Sequence, residues 1–191
     1  MIRYSKTILK PIFAVSIILL SLSLSAQNIT LNIAVAQNDY DKVVELLNQG
    51  YSPHGTDRQG NTAVNIATFR NHQRILKTLL DYGADINSKD RRGNFPLLFA
   101  SLNNRFELVQ FIINQGAIID MQSDYGRTAL MSVIVANPEN CLEIVELLQR
   151  NGADLNIIDN FDKTALDYAV NRELINFLKL NGALYFKELN N

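Results

Sequence analysis

Residues 57–89 read DRQGNTAVNIATFRNHQRILKTLLDYGADINSK, and this stretch decides the fold because the chain goes on to repeat it. Residues 90–122 follow as DRRGNFPLLFASLNNRFELVQFIINQGAIIDMQ. Two interlocked series of glycines keep a spacing of 33 residues: Gly60, Gly93 and Gly126, and Gly50, Gly83 and Gly116. A period of this size predicts a stack of similar units rather than one globular core.

Each unit has the pattern of two short helices. In residues 57–89, Thr62 can cap a first helix over 63–69, which breaks at Arg70-Asn71. A second, amphipathic helix then ends at Gly83, since glycine readily adopts the left-handed conformation that follows a helix. Its apolar stripe consists of Ile75, Leu76, Leu79 and Leu80. One unit cannot bury such a stripe alone, so neighbouring units must stack.

Short motifs recur at matching places along the chain. The openings are Gly60-Asn61-Thr62-Ala63-Val64, Phe95-Pro96-Leu97, Thr128-Ala129-Leu130 and Thr164-Ala165-Leu166, and the closings are Gly83-Ala84-Asp85-Ile86-Asn87 and Gly152-Ala153-Asp154-Leu155-Asn156. These motifs resemble the ankyrin repeat, whose signature is Asp-x-x-Gly-x-Thr-Pro-Leu-His-x-Ala, then a helix, then Gly-Ala-Asp-Val-Asn. The resemblance implies an all-α solenoid of about five helix-turn-helix units with short hairpin loops.

The repeats divide a domain of residues 27–191 into units. We place them at 28–56, 57–89, 90–122, 123–158 and 159–183, with a C-terminal cap at 184–191. The signature histidine is replaced in four units by Asn65, Leu98, Met131 and Asp167. The resemblance gives that histidine a role in tying neighbouring units, so we expect these junctions to be looser or to use other contacts. The fourth unit carries three extra residues around 136–140.

The first 26 residues differ from the repeats. A basic start is followed by an apolar run of 14 residues from Pro11 to Leu24 and then by small residues up to Ala26. This layout is typical of a signal peptide, and the run is shorter than the roughly 20 residues that a membrane-spanning helix needs. We expect cleavage after Ala26, with the bonds after Ser25 and Gln27 as alternatives, and export to the periplasm or beyond the cell. An uncleaved N-terminal anchor is the other interpretation.

Composition argues against several classes of function. The net charge is −1, and removal of residues 1–26 leaves 15 basic against 19 acidic residues, so nucleic acid is not an expected partner.

The single cysteine, Cys141, excludes an internal disulfide, and we expect it to be half-buried in a loop or at a helix start. We expect His54 to be solvated and His72 to have a structural role. No catalytic set, metal-ligand cluster or phosphate loop is evident, so we predict no enzyme activity and no cofactor.

A binding surface is therefore the predicted functional feature. The resemblance implies that a partner protein contacts the hairpin tips and the exposed side of the first helices. The tip candidates are Arg58, Gln59, Arg91, Arg92, Asp124, Tyr125, Asn160 and Phe161, and the first-helix candidates are Asn65, Phe69, Leu98, Leu102 and Met131. The alternative is that Leu98, Leu102 and Met131 pack internally and that the arginines are only solvated charges.

Three functions follow from this interpretation. The first is a monomeric protein-binding module outside the cytoplasm. The second is a specific regulator or inhibitor of one enzyme or toxin. The third, which requires the N-terminal segment to stay attached, is a membrane-tethered scaffold.

Overall fold

The computed structural model describes residues 26–28, 30–136 and 141–189. Helices follow one another along these residues: α1 (26–28 and 30–36), α2 (Tyr40–Asn48), α3 (Ala63–Phe69), α4 (Gln73–Asp81), α5 (Pro96–Leu102), α6 (Phe106–Asn114), α7 (Ala129–Ala136), α8 (Leu142–Arg150), α9 (Ala165–Tyr168), α10 (Arg172–Leu180) and α11 (Phe186–Leu189). In these ranges the only extended pairing is an isolated bridge between Thr56 and Thr62. The predicted all-α solenoid is confirmed. The proposed signal peptide, apart from Ala26, and the insertion at 137–140 lie outside the described residues.

The first helices begin where the capping residues predict. Thr62 Oγ1 accepts the Asn65 N–H at 3.1 Å, and Thr128 Oγ1 accepts the Met131 N–H at 3.2 Å. α5 has no side-chain cap and starts instead with Pro96, whose fixed φ suits a first helical residue. These capping contacts satisfy backbone donors that the helix itself leaves free.

The units stack so that first helices contact first helices and second helices contact second helices. α3 packs on α5, α5 on α7 and α7 on α9, while α2 packs on α4 and α6 on α8. The predicted stripes face inward, with Ile75, Leu76 and Leu79 almost fully buried. One continuous apolar core runs from Leu31 to Ala183. Because each unit contacts only its neighbours, stability accumulates unit by unit along the stack.

Aspartates hold the hairpin tips in shape. Asp57 Oδ1 accepts the N–H groups of Gln59 and Asn61, both at 2.9 Å. The same two-donor arrangement recurs at Asp90 and at Asp159. We call this arrangement the caged turn. Such side-chain-to-backbone hydrogen bonds are the reason that aspartate is common in turns.

Backbone hydrogen bonds join successive tips in a row. The N–H of Arg91 donates to Gly60 O, that of Asp124 to Arg92 O and that of Asn160 to Tyr125 O. The three N···O distances are 3.2, 3.4 and 3.1 Å. The tips therefore form a regular edge along one side of the stack.

Asparagine takes over part of the role that the missing histidine would have. The Asn65 side chain is buried, and its amide donates to Ser88 O at 3.3 Å in its own unit and to Asn94 O at 3.2 Å in the following unit. Asn32, one period upstream, donates in the same way to Asn61 O at 2.9 Å. At Asn65, the junction thus uses other contacts, which was one of the two expected outcomes. Asn32 was missed in the sequence because the leading unit lacks the opening motif that fixes the alignment.

Cys141 and the histidines lie at structural positions. Cys141 lies at the start of α8, one of the two expected locations, without a side-chain capping bond, and at 1% exposed it is fully rather than half-buried. Burial raises the pKa of its thiol. His72 Nδ1 lies 2.9 Å from Val35 O in the preceding unit, which confirms its structural role, and His54 is exposed as expected.

Within the described part of the chain, every helix is too short or too polar to cross a bilayer.

Two glycines provide a matched test of how closely the tips approach. Gly126 has φ +73°, and a Cβ there would lie 2.8 Å from Asn160 N and 2.9 Å from Asp159 Cα. Gly83 has φ +87°, but a Cβ there meets nothing within 4 Å. We expect Gly83→Ala to cost about 1–2 kcal/mol from backbone strain alone, and Gly126→Ala about 1–3 kcal/mol more from the collision. Urea unfolding measures the loss of stability in both variants. Equal losses would show that neighbouring tips can move apart at little cost.

Candidate functional site

The hairpin tips and the ends of the first helices enclose a cleft near the N-terminal end of the stack. Its volume is about 700 Å³. Phe69 and Phe99 supply the aromatic part of its lining, and Arg70, Arg91 and Arg92 supply the cations. The remaining lining residues are Ala36, Asp57, Gln59, Asn61, Asn65, Ile66, Asp90 and Asn94. We call the tips, this cleft and the exposed first-helix ends together the groove face.

The predicted first-helix candidates divide by their position along the helix. Phe69 is 50% exposed at the end of α3, and Leu102 is 36% exposed at the end of α5. Leu98 and Met131 are buried, so the prediction that they face a partner was wrong. They lie in the first turns of α5 and α7, which are packed between neighbouring first helices. Asn65 is buried for the same reason.

The predicted tip residues are all exposed. This applies to Arg58, Gln59, Arg91, Arg92, Asp124, Tyr125, Asn160 and Phe161. Arg91 reaches across to the preceding tip, where its guanidinium donates to Arg58 O at 3.2 Å. The structure thus brings the tip candidates onto one edge of the molecule, and their contact with a partner stays a prediction.

Tyr125 and Phe161 stack on one another and form what we call the aromatic pair. Their ring centroids are 6.5 Å apart and the rings are inclined by 15°. Each side chain is still more than half exposed. The guanidinium of Arg127 lies 5.7 Å from the Phe161 ring centroid, within cation–π distance. Aromatic surface that the fold leaves uncovered is therefore held in a defined orientation.

A buried polar group supports the aromatic pair. Asp159 is 3% exposed, and its Oδ2 accepts the Tyr168 hydroxyl at 2.5 Å. Arg127 Nε lies 3.9 Å from the same oxygen, beyond hydrogen-bond length but close enough for electrostatic attraction. Burial, together with this hydrogen bond, raises the pKa of Tyr168, which keeps the hydroxyl protonated as a donor. Sequence reasoning missed Arg127 and Tyr168, because neither belongs to a tip.

Asp167 holds the C-terminal end of the stack together by hydrogen bonds. Its Oδ2 accepts the N–H groups of Thr164 at 3.0 Å and of Phe186 at 2.8 Å. Burial opposes ionisation, but these two donors, together with the Thr164 hydroxyl and the charge of Lys163, outweigh it and lower the pKa of the Asp167 carboxyl. The short helix α11 lies in the proposed C-terminal cap, and this contact ties its start to α9.

Metal-ligating side chains do not converge in the part of the molecule that the structure describes. There, no three residues among histidine, cysteine, aspartate and glutamate lie close enough to hold an ion. The groove face instead presents arginines and aromatic rings, the residue types enriched at protein interfaces.

Comparison with known proteins identifies the repeats. The family described as ankyrin repeats (3 copies) matches residues 31–123 and again residues 97–186. No curated protein matches the chain. Domains of this family are generally interaction modules without catalysis. With most of its length matched, the chain belongs to the ankyrin-repeat family, whose repeats bind other proteins.

Proposed function

We propose that this protein acts outside the cytoplasm as a binding module that holds a partner protein against the groove face. The observation that carries the proposal is the exposure of large apolar groups on that face. Phe69, Tyr125 and Phe161 are each at least half exposed, and arginines lie beside them. Covering an apolar surface removes it from water, and arginine and tyrosine contribute disproportionately to such contacts.

Export is proposed from the N-terminal layout of residues 1–26. The basic start, the apolar run and the small residues before Gln27 support it. The intact mass of the protein recovered outside the cytoplasm provides the test. A chain that begins near Gln27 supports release, whereas a full-length chain in the membrane fraction supports the tethered scaffold instead.

We expect the triple variant Arg91→Glu, Arg92→Glu and Tyr125→Ala to lose most of the partner captured from the exported fraction. It reverses two exposed charges and removes one ring of the aromatic pair. Interface residues of this kind typically contribute 1–2 kcal/mol each, so we expect affinity to fall at least about tenfold. All three side chains are exposed, so the melting temperature should stay close to that of the wild type.

A matched control makes the same change of charge on the exposed side of the second helices, which we call the second-helix face. Lys77→Glu, Arg172→Glu and Phe106→Ala reverse two exposed cations and remove one exposed aromatic ring. Capture should be unaffected in this variant. Equal capture by both triple variants would place the interface away from the groove face. If the captured partner is an enzyme or a toxin, its activity with and without this chain tests a regulatory role.

A further inference from the structure

We infer that the cleft of the groove face takes an acidic peptide segment of the partner, with aspartates or glutamates flanking one apolar side chain. This inference rests on the proposed function and adds the chemistry of the bound segment. Two observations support it. Among the described residues, the cations of the cleft form no ion pair while its carboxylates already accept hydrogen bonds, and part of the cleft lining is an exposed aromatic ring.

The cleft arginines keep their charge available. Arg70, Arg91 and Arg92 are all exposed around the cleft. Among the residues that the structure describes, none of the three forms an ion pair. The guanidinium of Arg91 donates to the neutral carbonyl of Arg58, and that contact does not neutralise its charge. Guanidinium groups bind carboxylates in a two-pronged geometry, which makes them suited to acidic side chains.

The aspartates of the cleft do not compete for these arginines. Asp57 and Asp90 belong to caged turns, where Oδ1 of each accepts two backbone N–H groups. The other oxygen of each accepts the side-chain amide of Asn61 or Asn94, in both cases at 3.0 Å. Both oxygens of each aspartate thus accept hydrogen bonds from their own loop. The cleft therefore presents free donors with cationic charge, although the whole chain has a net charge of −1.

The apolar lining provides a place for one uncharged side chain. Phe69 meets Phe99 edge-on, with centroids 5.6 Å apart and an interplanar angle of 74°. Half of Phe69 remains exposed, so an aliphatic or aromatic side chain of the partner can cover it. A cleft of about 700 Å³ is in the size range of sites that enclose small ligands, which suits a few residues rather than a folded surface.

Nucleic acid fits the cleft less well than an acidic peptide. The aspartates of the caged turns stand beside the arginines, so a continuous phosphate backbone would meet both signs of charge. A peptide can place its carboxylates at the arginines and its apolar residue at Phe69. The test below therefore includes an oligonucleotide as a competitor.

Selection from short random peptides, using the purified exported protein as bait, tests the inference. We expect the recovered peptides to be richer in Asp and Glu than the unselected library and to contain an aromatic or aliphatic residue. One recovered acidic peptide, labelled with a fluorophore, then serves as the probe for affinity. Its binding should weaken as salt is raised, because exposed charge pairs are screened.

A pair of charge-matched variants locates the binding. Arg70→Gln with Arg92→Gln should weaken the probe about fivefold, since two exposed charge pairs are lost. Lys77→Gln with Arg172→Gln removes the same charge from the second-helix face and should change the affinity less than about twofold. Because all four side chains are exposed, both variants should keep the wild-type melting temperature.

Three results would overturn the inference. These are recovery of peptides no more acidic than the library, equal weakening by both variants, and displacement of the probe by a single-stranded oligonucleotide. None of them removes the proposed function, which depends on partner capture by the intact groove face. Conversely, unchanged partner capture in the groove-face triple variant rejects the proposed function even where acidic peptides are recovered.

Discussion

Asp159→Ala is expected to lower the free energy of unfolding by about 3 kcal/mol. The carboxylate is almost completely buried, and it accepts the N–H groups of Phe161 and Lys163 and the Tyr168 hydroxyl. Alanine leaves these donors without their acceptor and leaves Arg127 beside an empty site. Urea unfolding followed by circular dichroism measures the loss.

Asp57→Ala is the matched control, because Asp57 forms the same caged turn in an earlier unit. Asp57 is only half-buried and accepts Asn61 in place of a tyrosine hydroxyl. We expect a loss of about 1–1.5 kcal/mol there. If the two variants lose equal stability, the contacts to Tyr168 and Arg127 contribute nothing and the caged turn alone explains the effect.

Phe95→Ala is expected to cost about 4 kcal/mol and to uncouple the two ends of the stack. The ring is 1% exposed at the start of α5, a helix that packs against both α3 and α7. A cavity there weakens the contacts that couple the second and third units to the fourth. Since stability in a stack depends on contacts between neighbours, we expect urea unfolding to broaden and hydrogen exchange to accelerate unevenly on the two sides of α5.

Phe69→Ala serves as the comparison for Phe95→Ala. Phe69 is half exposed at the end of α3, and its main contact is the edge of Phe99. We expect it to cost only about 1 kcal/mol and to leave unfolding as sharp as in the wild type. A loss below about 2 kcal/mol for Phe95→Ala, with a single sharp transition, would contradict its assigned role at the centre of the stack.

Local rules in the sequence were enough to define the helices. The first helix predicted over 63–69 is α3 with the same bounds, because a threonine cap and a break fix its two ends within a few residues of chain. The break lies at Asn71, which adopts φ +62°, a conformation that asparagine tolerates better than most residues.

Features that depend on neighbouring units could not be obtained in the same way. Leu98 and Met131 have the helical position of a groove residue, and only the placement of adjacent first helices shows that they are covered. The support beneath the aromatic pair joins Arg127 to Asp159 and Tyr168 in the following unit. No spacing rule within one repeat links those residues, so the organisation of the candidate site emerged only from the stacking.

In the caged turns, the residues that stabilise the loop are different from the exposed residues that are proposed to contact a partner. Each aspartate fixes its loop through backbone groups, so the side chains of Arg58, Gln59 and Arg92 are not needed to shape the turn, whereas Arg91 also donates to Arg58 O. Substitutions there can accumulate under selection for a new ligand while folding is preserved. The same positions are suited to randomisation in directed evolution, and under the proposed function such variants would bind new partners without redesign of the core.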